Sequence, residues 1–153
     1  MSVSRESVIV VGVDGSPSSI RALEWAIDQA VLTQASVEAV TAWHFPNSYG
    51  VPLADGTNYA DLARETLTKA IVTARNARPD GPAADVKIRT WIAEGHAAQI
   101  LLDRSAEASL LVVGSRGHGG FAEVLLGSVG QYLVHHANCP VLIFRGDPRH
   151  LSA

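Results

Sequence analysis

From Leu110 to His136 the chain runs from an unbroken apolar stretch, Leu110-Leu-Val-Val113, through a glycine-dense segment and into a helical pattern. Six of its 13 glycines fall between Gly114 and Gly130, in Gly114-Ser-Arg-Gly117-His-Gly119-Gly120 and then Gly127-Ser128-Val129-Gly130. A short apolar run bounded by turn residues reads as a buried strand. Glycine lets bare backbone approach a ligand, and a helix opening at Gly127-Ser128 aims free N–H groups and its dipole at whatever the loop encloses. Strand, glycine loop and helix in that order are the parts of a phosphate-binding βα unit.

The remaining chain repeats the strand-then-helix pattern. Val8-Ile-Val-Val11 is a β-branched run ending at Gly12-Val13-Asp14-Gly15. Ser16 is the expected N-cap of the helix that follows, with Pro17 at its first position. Ile20, Leu23, Ile27, Ala30 and Val31 give that helix an apolar face. A second strand is expected over Ser36–Trp43, then a loop from His44 to Gly56, then a helix from about Asn58 to Ala77. Arg78-Pro-Asp-Gly-Pro82 breaks this helix. Val86–Ala93 alternates apolar with polar residues and reads as an edge strand. Gly95-His96 opens a short helix reaching Ala106, Leu110–Val113 is the fourth strand, Ser128–His136 the last helix, and Cys139–Phe144 the fifth strand. Arg145–Ala153 is expected to fray. Strands alternating with helices specify an α/β class: a three-layer open parallel sheet of five strands, Rossmann-like or flavodoxin-like, in the order 3-2-1-4-5.

Composition narrows the function. At 153 residues the chain is expected to be one domain, residues 1–153. A net charge of −3, with Lys69 and Lys87 the sole lysines and scattered arginines, argues against general nucleic-acid binding. No segment has the roughly 20 apolar residues that a membrane span needs. The polar start Met1–Ser7 lacks the apolar core of a secretion signal, and one cysteine, Cys139, fits a reducing compartment, so the expected location is the cytoplasm.

In an open α/β sheet, ligands sit at the C-terminal strand ends where strand order reverses. Three such ends stand out: Val13-Asp14, Ala42-Trp43 and Gly114–Gly130. If strands one and four are neighbours, the first and last form one crevice. There Gly114 and Gly117 cradle phosphates, while the N–H groups of Gly127, Ser128, Val129 and Gly130, with the Ser128 hydroxyl, complete the anion site. A plain reading has Ser128 as nothing more than a helix cap. Arg116 and His118 project from the loop, either neutralising phosphate or simply solvated. Asp14 is a candidate partner for a ribose hydroxyl or a divalent metal, or an Asx-turn residue organising Asp14-Gly15-Ser16. No lysine lies near the loop as a Walker sequence demands, Gly117–Ala122 is misplaced for a dinucleotide fingerprint, and no nucleophile elbow or Cys/His metal spacing occurs. His135 and His136 are adjacent on one helix and face different ways.

These residues resemble the universal stress protein family. The likeness spans nearly the whole chain: Val-Val-Gly-Val-Asp14-Gly-Ser, Leu-Val-Val-Gly114-Ser-Arg-Gly, Gly114-x2-Gly117-x9-Gly127-Ser128, and Cys139-Pro-Val-Leu-Ile. The resemblance implies the adenine-nucleotide α-hydrolase-like version of this fold and binding of ATP or another adenine nucleotide, AMP or cyclic AMP, with magnesium as a possible companion at Asp14. It implies that Gly12, Val13, Asp14 and Ala42 surround adenine and ribose. Val113, Gly114, Gly117, Gly127, Ser128 and Val129 then wrap ribose and phosphates. Gly130 replaces the small hydroxyl or alanine common in the family. A homodimer paired through Val141–Phe144 is also implied. The favoured expectation is a regulatory nucleotide-binding protein with little or no turnover, because no general base or phosphoryl clamp is evident. The alternatives are a slow metal-dependent ATPase, or a transferase splitting ATP between its α and β phosphates. Flavodoxin-like and receiver-domain readings fare worse, lacking respectively an open phosphate loop after strand one and an acidic pair with a lysine.

Overall fold

The computed structural model describes residues 6–44, 47–48, 51–52, 56–115 and 127–145. Five parallel strands form the sheet: β1 (Val8–Gly12), β2 (Ser36–Trp43), β3 (Ile88–Glu94), β4 (Leu110–Gly114) and β5 (Val141–Phe144). Their spatial order is β3-β2-β1-β4-β5, the order expected from the sequence. Helices α1 (Pro17–Thr33) and α2 (Tyr59–Asn76) cover one face, and α3 (Ala97–Arg104) and α4 (Ser128–His136) the other.

The period of two along each strand divides the core. Ile9, Val11, Val37, Ala39 and Val112 pack under α1 and α2 with Leu23, Ile27, Leu67 and Ala70. Val10, Val40, Leu111 and Val113 point the other way, against Leu101 of α3 and Leu133 of α4. Central strands buried on both faces must be apolar at nearly every position, which is why β1 and β4 read as continuous runs. Each such Leu or Ile, fully enclosed, contributes about 1.5–3 kcal/mol of transfer free energy.

Helix boundaries follow local chemistry. Ser16 caps α1, its Oγ accepting from the Ser19 N–H, with Pro17 at the first position. Asn58 caps α2 in the same way through the Asp61 N–H. The stop after α2 becomes a 3-10 turn at Gly81–Asp85, held by the Arg75 guanidinium on the Val86 carbonyl. Gly95, at φ 139°, makes the turn into α3 that a side chain would oppose.

Four expectations shift. Helix α3 stops at Arg104, two residues early, because Ser105 is buried and closes the turn with Oγ on the Leu102 carbonyl. Strand β5 starts at Val141: Pro140 has no N–H and contributes its carbonyl alone, to Leu111. Within the stretch 44–56, Asn47–Ser48 pairs antiparallel with Val51–Pro52, so it is not wholly irregular. Strand β3 starts at Ile88, two residues later than expected, because Val86 ends the 3-10 turn, while Ile88 and Ile92 pack on the core as the alternation predicts and β3 is an edge strand. The tail after Arg145 lies outside the described residues.

Candidate functional site

The strand order reverses between β1 and β4, and the register Val11↔Val112 sets their tips side by side. The ladder between β1 and β2 runs on past the end of β1, with the Val13 N–H donating to the Val40 carbonyl at 2.8 Å. The Thr41 Oγ1 donates to the Val13 carbonyl at 2.8 Å, pinning the strand end. Above these tips lies a cleft of about 120 Å³ lined by Gly12, Val13, Asp14, Ser19, Val40, Ala42, Ala97, Leu101, Val113, Gly114 and Val129.

Seven residues singled out in the sequence therefore meet in one cleft: Gly12, Val13, Asp14, Ala42, Val113, Gly114 and Val129. Gly127, Ser128 and Gly130 belong to the adjoining start of α4. Arg116 and Gly117 lie outside the described residues, as does His118. Sequence reasoning did not find Ser19, Val40, Ala97 or Leu101. Ser19 and Val40 sit within recognised elements and carry no motif. Ala97 and Leu101 enter because α3 crosses the β1–β2 tips, a tertiary fact with no local sequence signal.

The lining is apolar on the β2 and α3 side, through Val40, Ala42, Ala97 and Leu101, and polar at Asp14 and Ser19. An apolar slot with a few polar groups on one side suits a heteroaromatic base joined to a sugar. Asp14 is exposed, and its Oδ1 accepts from the Ser16 N–H at 2.9 Å, the Asx turn weighed from the sequence. Its other carboxylate oxygen has no partner among the described residues. The same residue thus holds the turn and leaves an acceptor at the rim. No group of three or more His, Cys, Asp or Glu side chains suited to a metal occurs among the described residues.

Two helices begin near the cleft, and their ends differ. The first turn of α1 is closed by Ser16, and the Ser19 hydroxyl is committed to the Ser16 carbonyl at 3.0 Å. Those hydroxyls serve the helix itself. At α4 the cap is Gly127, not Ser128, and among the described residues no side-chain bond closes it. The Gly127 N–H is spent on the Ser115 carbonyl at 2.9 Å, so the helix start is tethered to the end of β4. The N–H groups of Ser128, Val129 and Gly130 precede the first intrahelical bond, from Gln131 to Gly127, and an anion is their natural partner.

A doubly wound α/β domain with a base-sized slot beside a helix start capped by glycine has the make-up of a nucleotide-binding domain. Residues 7–145 match the Universal stress protein family, and the chain belongs to it. It is 33% identical over 141 residues to universal stress protein Rv2623 of Mycobacterium tuberculosis, covering 92% of this chain and 46% of that protein. It is 34% identical over 137 residues to universal stress protein Mb2028c of Mycobacterium bovis, covering 90% of this chain and 45% of that one. The chain thus spans about half the length of these curated relatives. A crystal structure of a universal stress protein in complex with cAMP superposes with a TM-score of 0.67 at 29% identity, covering 94% of this chain and all of the other.

Proposed function

We propose that this chain binds an adenine nucleotide, ATP among the candidates, and acts as a cytoplasmic regulatory protein of the stress response with little or no turnover. The observation that carries the reading is the cleft itself, an apolar slot at the β1–β4 switch point facing a helix start without a side-chain cap. The base lies between the β1–β2 tips and Leu101, the ribose meets Asp14, and the phosphates take the N–H groups of Ser128, Val129 and Gly130, with Gly114, Arg116 and Gly117 alongside. The cAMP complex of a relative supports the adenosine part of this reading. A magnesium ion, if bound, is held by Asp14 and the phosphates together, the usual way this cation uses one carboxylate and its substrate. Low turnover is the favoured reading because the described lining holds a single carboxylate, Asp14, with no histidine, lysine or arginine beside it.

A second copy of the chain covers the apolar edge strand β5, whose residues Val141–Phe144 are all partly exposed in the isolated chain. Sedimentation of the purified protein reports this directly: a dimer is expected.

Calorimetric titration with ATP, cAMP and GTP, with and without magnesium, tests the binding. Heat of binding is expected for the adenine nucleotides and not for GTP. Phosphate and pyrophosphate release by wild type and Asp14→Asn tests the chemistry. Metal-dependent release abolished by the substitution would make the chain an enzyme instead.

A further inference from the structure

Ser19 lies in the first turn of α1 and is nearly fully buried, yet it lines the cleft. Its hydroxyl accepts from the Asp14 N–H at 3.3 Å and donates to the Ser16 carbonyl at 3.0 Å. The Ser16 N–H in turn donates to Asp14 Oδ1 at 2.9 Å, and Ser16 Oγ accepts from the Ser19 N–H at 3.3 Å. Four hydrogen bonds thus close a ring in which the Asp14 backbone is anchored to α1 by Ser19 and its carboxylate by Ser16. These bonds restrain the carboxylate and leave its second oxygen without a partner among the described residues.

Building on the nucleotide-binding reading, we propose that Ser19 is the positioning residue that presents the free oxygen of Asp14 to the ribose hydroxyls of the bound nucleotide. The Ser19 hydroxyl donates its one proton to the Ser16 carbonyl and accepts from the Asp14 N–H, so it holds its neighbours more than it bonds a ligand. Its contribution is to fix a neighbour that does. Fixing an acceptor removes the ordering cost otherwise met when the ligand binds.

The test compares AMP with 2′,3′-dideoxy-AMP by calorimetry, in EDTA so that no metal contributes. Ser19→Ala is expected to weaken AMP roughly tenfold, the ordering cost that a loosened Asp14 then meets on binding. Its affinity for the dideoxy analogue is expected to change less than about twofold, and it adds nothing in an Asp14→Ala background. Equal weakening of both ligands would make Ser19 a merely structural residue and overturn the proposal, as would no change for either. Should Ser19→Ala fail to fold, Ser19→Cys, which nearly keeps the volume but replaces the oxygen with a weak acceptor, carries the same comparison. Wild type binding neither of these ligands nor ATP would instead sink the nucleotide-binding reading, and this proposal with it.

Discussion

Gly114 at the tip of β4 lies so close to Ser18 in the first turn of α1 that a Cβ on Gly114 would fall 2.5 Å from Ser18 Oγ and 3.0 Å from its carbonyl carbon. The sequence suggests that a methyl here presses on the ligand. In the structure it presses on the helix that carries the cleft's polar rim. A hydroxyl can rotate aside, but the carbonyl carbon moves only if α1 moves.

Gly114→Ala is therefore expected to destabilise the fold itself, by about 2–3 kcal/mol, as overpacking against backbone does. Urea unfolding without ligand checks this. Unchanged stability with lost binding would restore the ligand-contact explanation.

Gly12 makes the opposite case. A Cβ there meets Leu101 Cδ1 at 3.0 Å, the far end of a flexible side chain, and Val113 Cγ1 at 3.2 Å. Leu101 yields by moving into the cleft it lines. Gly12→Ala should cost about 1 kcal/mol in stability but roughly tenfold in adenine-nucleotide affinity, equivalent to ~1.4 kcal/mol. Paired unfolding and titration separate the two.

Far from the cleft mouth, Glu38 of β2 is nearly buried and receives Arg104 Nε at 2.6 Å, while the guanidinium lies 3.9 Å over the Trp91 ring centroid. This pair fixes the C-terminal end of α3, whose other end supplies Ala97 and Leu101 to the cleft. Arg104→Ala leaves a buried carboxylate without its partner and should cost about 1–3 kcal/mol, reduced from the fully buried case because the arginine is partly exposed. Replacing both residues with leucine should cost less than the single change. Denaturant midpoints of the three proteins give the answer.

The single cysteine provides a pH test. Burial pushes the Cys139 thiol above its usual range, against a smaller opposing hydrogen bond with Ser105. A raised folded-state value means the contribution to stability is fully present below the unfolded thiol's titration, near pH 8.5, and is lost as pH rises through the folded value. Between pH 7.5 and 10 the wild type should lose more stability than Cys139→Ala. Identical slopes would show that the thiol ionises as freely in the folded state.

What the sequence makes legible is whatever a residue decides by itself or with its near neighbours. Val8–Val11 and Leu110–Val113 can only be doubly buried strands, and Ser16-Pro17 can hardly be anything but a helix start. Six glycines in 17 positions mark the loop. What it hides is set by distant packing. Gly114 is glycine because of Ser18, nearly a hundred residues earlier, and Leu101 enters the cleft because α3 lies across β1 and β2. The placement of Gly127, not Ser128, at the α4 cap depends on the bond from Gly127 N–H to the Ser115 carbonyl, which no local pattern announces.

Crystals of the protein soaked in an adenine nucleotide put the central claim to its most direct trial. The account predicts density for the base between the β1–β2 tips and Leu101, with phosphate on the N–H groups at the start of α4. Nucleotide density elsewhere, or a cleft that stays free of ligand at saturating concentration, would contradict it.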